Sequence, residues 1–128
     1  MTVVVASANV HYSVTSSMTT GSLNGMTFQN NSELLISKAG KYLVTWSLAL
    51  LAGNNDHIEG AVMVNSTQQI NTVNSAHTPG SGDQVGVSGT GILTLAVGDI
   101  VRLCVENEID ADDIVIHTAN LTLIQIGA

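Results

Sequence analysis

In the stretch Gly40-Lys41-Tyr42-Leu43-Val44-Thr45-Trp46-Ser47-Leu48-Ala49-Leu50-Leu51, apolar side chains recur at every second position. The even-numbered residues from Tyr42 to Leu50 are all apolar, whereas most odd-numbered residues from Lys41 to Ala49 are polar or small. A β-strand places alternate side chains on opposite faces, so this period provides one face for a core and one for solvent. The β-branched and aromatic residues also favour a strand over a helix. The stretch is therefore predicted to form one long central strand.

Similar alternation recurs further along the chain, between turns rich in Gly, Asn and Ser. About eight strands at this spacing, without a convincing helix, predict an all-β sandwich of two sheets. The predicted core consists of the apolar residues that share one parity in four of these strands: Tyr42, Val44, Trp46, Leu48, Leu50, Val62, Val64, Leu93, Leu95, Val101 and Leu103.

Three other segments have weaker patterns. From Val3 to Val14 the apolar parity changes near residues 6–9, which predicts one strand interrupted by a bulge. The polar segment from Thr15 to Ser32 predicts a long loop with at most one short strand. The segment from Thr67 to Ala76 predicts a polar strand that faces solvent.

The final segment, Ala119 to Ile126, is apolar on both parities. Leu121 and Leu123 lie on one parity, and Ile124 and Ile126 lie on the other. In a sandwich, such a strand is expected where one face meets the core and the other meets a neighbouring subunit. These four residues are therefore the predicted subunit interface.

The composition agrees with an associating β-protein. The 128 residues are expected to form a single domain, residues 1–128, with 45% hydrophobic and only 10% charged residues. We expect its surface to be solvated by Ser, Thr and Asn and to be partly buried against other subunits. The net charge is −7, with three Lys and Arg residues in total, so nucleic acid would be repelled and is not an expected partner.

The sequence also lacks the features of a disulfide-linked protein, a secretory signal and a membrane-spanning helix. Cys104 is the only cysteine, which excludes an internal disulfide and a cysteine metal cluster. The segment Met1 to Val5 lacks the basic start of a secretory signal. The longest mainly apolar run, Leu43 to Ala52, is much shorter than the roughly 20 residues of a membrane helix. No membrane association is expected.

Three motifs follow one another along the chain, with Asn65 between the first and the second. They are Leu34-x5-Gly40-x-Tyr42-x-Val44-x-Trp46, Gly89-x-Gly91-Ile92-Leu93-x-Leu95-x-x-Gly98-Asp99-x-Val101-x-Leu103 and Ala119-Asn120-Leu121-x-Leu123-Ile124. Their order and spacing resemble the C1q/TNF-like domain over roughly Leu34 to the C-terminus. The resemblance implies a ten-strand jelly roll of two sheets that assembles as a compact homotrimer around a three-fold axis. Such domains serve as binding heads, fibre tips and trimeric knobs on viral particles, and they are not typically catalysts.

No catalytic or cofactor-binding residues are predicted. The four histidines, His11, His57, His77 and His117, are dispersed without metal-ligand spacing. The glycine-rich stretch from Gly80 to Gly91 matches neither the nucleophile elbow nor the phosphate-binding and dinucleotide-binding patterns. The protein is accordingly expected not to be an enzyme and to need no cofactor.

Acidic side chains concentrate in one predicted loop, residues 106–113. Glu108, Asp110, Asp112 and Asp113 offer carboxylates of the type that binds Ca²⁺. The loop lacks the glycine and terminal glutamate of an EF-hand, so a solvated loop is the simpler interpretation and calcium the alternative.

The predicted role follows from the resemblance and the small size of the chain. A trimeric knob suits a capsid decoration or cement protein, with the major capsid protein or another particle-surface protein as partner and the virion as location. The contacts would come from the N-terminal strand and the polar loop between Thr15 and Asn31. The alternative is a receptor- or glycan-binding tip of a phage fibre or of a bacterial or spore surface filament, located outside the cell or on its surface.

Overall fold

The computed structural model describes residues 1–15 and 18–128. The described residues form eleven β-strands and a single 3-10 helix, Ile70–Thr72, so the all-β prediction is confirmed. None of the described helices is long or apolar enough to cross a bilayer. The strands are β1 (Thr2–Val3), β2 (Tyr12–Ser13), β3 (Met26–Gln29), β4 (Glu33–Ile36), β5 (Gly40–Leu51), β6 (Asp56–Val64), β7 (Thr67–Gln68), β8 (Asn74–Thr78), β9 (Val85–Leu95), β10 (Ile100–Asn107) and β11 (Ile114–Gly127).

The strands pair antiparallel in two sheets. The four-stranded sheet has the order β1-β11-β5-β9, and the seven-stranded sheet contains β3-β4-β10-β6-β7 with β2 paired to β10 and β8 to β6. The central strand β5 alternates as predicted, with its even-numbered residues buried between the sheets. Of the eleven predicted core residues, ten are buried and Val64 is half-buried at the rim of the core.

Trp46 occupies the middle of the core and is only 2% exposed. Its Nε1 donates a hydrogen bond of 2.8 Å to the carbonyl oxygen of Thr72, so the polar atom of the indole is satisfied. Two glycines make room for the ring, because a Cβ at Gly60 would collide with it and a Cβ at Gly89 would lie 2.6 Å from Nε1. Both positions therefore require the absence of a side chain.

The prediction of one bulged strand from Val3 to Val14 is wrong. β1 pairs with β11 in the four-stranded sheet, whereas β2 pairs with β10 in the other sheet. The parity changes because the chain crosses between the sheets, through a connection in which Asn9 has a positive φ of 59°. The Tyr12 hydroxyl accepts hydrogen bonds of 3.1 Å from two backbone N–H groups of this connection.

The predicted polar strand from Thr67 to Ala76 is also interrupted. β7 and β8 both pair with β6, and the 3-10 helix lies between them. Thr72 causes the break because it is fully buried, donates a 2.7 Å hydrogen bond to the Gln69 carbonyl and accepts one from the Val62 N–H. The side chain thus replaces backbone ladder bonds at this point.

The final strand is longer than predicted and pairs with β5 along its length. Register shifts occur between Ile116 and Thr118 and between Gln125 and Gly127. One face of β11 turns to the core, and the other lies on the outside of the four-stranded sheet.

Candidate functional site

The outer face of the four-stranded sheet carries a row of three apolar side chains on three neighbouring strands. Leu43 of β5 pairs with Ile124 of β11 on one side and with Ile92 of β9 on the other. Ile124 and Ile92 are each 55% exposed, and Leu43 between them is half-buried. Near the end of β11, Ile126 is 52% exposed. We call these four residues the apolar row.

The two rows beside the apolar row are polar, and the face as a whole is almost uncharged. Thr122, Thr45 and Thr90 form the next row across the same strands, and Asn120, Ser47 and Ser88 form the row after that. None of the ten Asp and Glu residues lies in β1, β5, β9 or β11. An apolar row surrounded by hydroxyl and amide groups, with no acidic side chain, is typical of a protein interface rather than of a solvated sheet.

The four residues predicted as the subunit interface divide between two faces of β11. Leu123 is 9% exposed and faces the core, and half-buried Leu121 lines a groove of about 360 Å³ beside the loop of residues 18–23. Ile124 and Ile126 lie outside. Leu43 and Ile92 were not predicted as interface residues, although each is a large apolar side chain on the more polar parity of its strand, because their alignment depends on the strand register.

The structure brings two of the four predicted calcium ligands together and separates the other two. Asp110 and Asp112 offer carboxylate oxygens that lie within 4.8 Å of each other and of one from Asp56, at the start of β6. Asp113 instead accepts a 2.9 Å hydrogen bond from the Val5 N–H. Glu108 does not belong to this cluster, and its charge helps to raise the pKa of Glu106. Asp56 was not predicted as a ligand, because it is distant in the chain from the acidic loop and stands among turn residues.

Asn107, which is fully buried at the end of β10, orders the acidic loop. Its side-chain oxygen accepts hydrogen bonds from the N–H groups of Ile109 and Asp110, at 3.0 and 3.2 Å. Its amide nitrogen donates to Asp110 Oδ1 and to the Asp112 carbonyl, at 3.2 and 3.3 Å. One buried side chain thus fixes both ends of the turn that presents Asp110 and Asp112.

A second cluster of titratable groups lies on the seven-stranded sheet. Glu59 of β6 and Glu106 of β10 are directly opposite each other in the register. The His11 Nε2 lies between them, 3.5 Å from Glu59 Oε1 and 3.4 Å from Glu106 Oε2. Burial raises the pKa of Glu106, His11 opposes this rise, and Glu59 and Glu108 add to it. Like charges directly opposite each other on facing strands repel, and His11 is placed where a protonated imidazole would offset this repulsion.

The raised pKa of Glu106 predicts a pH-dependent contribution to stability. Above the ordinary glutamate pKa, the folded protein retains a proton at Glu106 that the unfolded chain releases, so stability falls as the pH rises through this window. Wild-type protein is expected to gain more unfolding free energy than Glu106→Gln when the pH is lowered from 7.5 to 5.5. Urea titrations of both proteins at the two pH values measure the difference. Equal gains would show that Glu106 does not titrate in this way.

The remaining histidines include one close pair. His57 and His77 face each other across β6 and β8, with ring centroids 5.1 Å apart, and His77 also contacts Asn55 Oδ1 at 2.7 Å. Both are exposed and no third metal-ligating side chain joins them in the described part of the chain. His117 is also exposed, on β11.

This strand arrangement defines a TNF-like jelly roll, and comparison with solved structures supports the same class. Eiger TNF from S. frugiperda superposes with a TM-score of 0.59 at 16% identity, covering 80% of this chain and 69% of that one. Murine APRIL superposes with a TM-score of 0.56 at 14% identity, covering 86% and 98% of the two chains. No family model matches the sequence. A search of curated proteins likewise gives no match. The prediction of a C1q/TNF-like jelly-roll fold is thus confirmed, and at these identities the similarity concerns the fold.

Proposed function

We propose that this protein is a non-catalytic homotrimer that decorates the surface of a virus or bacteriophage capsid. The main support for a trimer is the apolar row on the outer face of the four-stranded sheet. Burial of this row is favourable by roughly 25 cal/mol for each Å² of apolar surface removed from water. Three copies that meet through this face would bury three such rows around one axis.

The distribution of acidic residues favours a second copy of the same chain as the binding partner of this face. Two chains that each carry a net charge of −7 repel each other wherever acidic side chains would meet. The four-stranded sheet has no acidic residue in its strands, so it is the face on which copies can approach at the lowest electrostatic cost. The three-fold arrangement follows what the C1q/TNF-like resemblance implies.

A three-fold particle suits attachment to a symmetric shell. Each protomer would make the same modest contact with a capsid protein, and three linked contacts reinforce one another through effective concentration. The N-terminal strand β1, which was predicted to make this contact, pairs with β11 on one side and forms one edge of the four-stranded sheet, so it stays available for the contact. Residues 19–24 of the polar loop are all exposed and remain suited to the contact.

Quantitative mass spectrometry of purified particles tests this role. Hundreds of copies spread over the shell, in a ratio to the major capsid protein set by its three-fold positions, are the expected result. A few copies confined to a tail fibre or filament end would contradict decoration. That outcome would assign the protein to receptor or glycan binding at a tip.

A further inference from the structure

Three carboxylates converge at one end of the sandwich from two different connections. Asp56 begins β6, directly after the turn that follows β5, and Asp110 and Asp112 belong to the loop between β10 and β11. One oxygen of each lies within 4.8 Å of the others. We call Asp56, Asp110 and Asp112 the acidic cluster.

The strongest indication of a ligand comes from Asp56. This residue is 0% exposed, and its Oδ2 accepts a 2.8 Å hydrogen bond from the Gly53 N–H. Its Oδ1 is buried and accepts no hydrogen bond from the described residues 1–15 and 18–128. A buried carboxylate oxygen without a partner costs free energy in proportion to its lost solvation, so such atoms normally face a cation or an ordered water.

The charge of the acidic cluster is not balanced by a nearby basic side chain. Lys38 and Lys41 lie at the opposite end of β5, and Arg102 donates to Ser13 Oγ and to the Asn65 carbonyl. These three residues are the only Lys and Arg in the sequence. Burial raises the pKa of Asp56, the Gly53 N–H and the nearby Asn107 amide oppose this rise, and the negative charges of Asp110 and Asp112 add to it.

The surrounding backbone is shaped to hold the carboxylates close together. Asp112 Oδ2 packs so tightly against Gly53 that a Cβ at this glycine would collide with it. The same Cβ would lie 2.8 Å from Asp56 Oδ2. Together with the hydrogen bonds of Asn107 to the loop, this close approach fixes the acidic side chains before any ligand arrives.

We propose that the acidic cluster binds a calcium ion within each protomer. The donors are all carboxylate oxygens, the ligands that hard divalent cations prefer, and no Cys or His belongs to the cluster. Ca²⁺ binds oxygens at about 2.3–2.6 Å, so ligands on opposite sides of the ion are about 4.6–5.2 Å apart. Mg²⁺ demands near-ideal octahedral geometry and usually keeps several waters beside one or two carboxylates, so a site of three protein carboxylates suits calcium better. Water or second carboxylate oxygens would complete the coordination shell.

This site is independent of the trimer and of the capsid role. It would link the turn after β5 to the loop between β10 and β11, and thereby stabilise one end of the sandwich. Because ligand binding to the folded state adds to its stability, calcium at one hundred times its dissociation constant should raise the unfolding midpoint by on the order of 10 °C.

Isothermal titration of metal-free protein with CaCl2, followed by thermal unfolding with and without calcium, tests the proposal. Asp56→Asn and Asp112→Asn are each expected to weaken calcium binding at least tenfold, and Asp56→Asn keeps an acceptor for the Gly53 N–H. Glu108→Gln is the matched control, because it removes one negative charge from the same loop without touching the cluster, and its affinity should stay within twofold of wild type. Gly53→Ala should also weaken binding, although it removes no charge.

Two results would overturn the proposal. One is the absence of both binding heat and a shift in unfolding temperature up to about 10 mM calcium, beyond the weakest range of protein calcium sites. The other is an equal loss in Glu108→Gln and Asp112→Asn, which would indicate diffuse attraction to an acidic loop. Asp112 is exposed, so Asp112→Asn is expected to fold and to give a usable titration even if Asp56→Asn does not.

Discussion

Ile124→Asp is expected to lower the mass of the protein in solution from about 40 kDa, three times the mass of one chain, to 13.3 kDa. Ile124 stands at one end of the apolar row, next to Leu43 in the register. In the trimer the new carboxylate would be buried against another copy without a partner, at several kcal/mol for each of three charges. In the monomer it would remain in water, so the fold should survive. Multi-angle light scattering after gel filtration measures both masses.

A matched control separates the effect of position from that of charge. Val97→Asp introduces the same charge at an apolar side chain that is 66% exposed in the turn after β9, outside the sheet. This variant is expected to retain the mass of the wild type. A trimeric Ile124→Asp, or a Val97→Asp variant that dissociates as readily, would contradict the assignment of the interface to the apolar row.

Trp46→Ala is expected to have the largest effect on stability, a loss of about 3–5 kcal/mol in the free energy of unfolding. The substitution removes the side chain in the middle of the core and leaves the Thr72 carbonyl without its 2.8 Å donor. Trp46→Phe retains part of the packing and should lose less. Urea titrations at one fixed protein concentration measure these changes, since association makes apparent stability depend on concentration. A change within the error of the titration would mean that the ring is not essential to the core.

Gly60→Ala provides an internal check on this account of Trp46. Its new methyl group would collide with the indole, so the free energy of unfolding should fall by about 1–3 kcal/mol. In the Trp46→Ala background the same methyl group enters vacated space and should cost less or become favourable. Additive effects of the two substitutions would show that the ring and the glycine are not in contact.

The sequence predicted the fold well wherever a strand has one buried face. The alternation in β5 identified the core face of the four-stranded sheet, and the two-sided apolar pattern of the last strand identified a second, outward face at Ile124 and Ile126. Side-chain period is a local property, so it can be read without knowing which strands pair. The segment from Val3 to Val14 was misassigned because a strand that changes sheets and a bulged strand give the same change of parity.

The candidate sites were less predictable because they depend on register and on long-range approach. Leu43 and Ile92 are separated by almost fifty positions in the chain and become neighbours only through the pairing of β5 with β9. Asp56 meets Asp110 and Asp112 in a similar way, across two connections at one end of the sandwich. The acidic loop was visible in the sequence, but Glu108 and Asp113 were predicted as calcium ligands only because they lie in this loop.

Sedimentation equilibrium of the wild-type protein at micromolar concentration tests whether the outer face of the four-stranded sheet is a homotrimer interface. A single species of about 40 kDa is expected, against 13.3 kDa for one chain. A species of 13.3 kDa, or a dimer of twice that mass, would contradict a homotrimer.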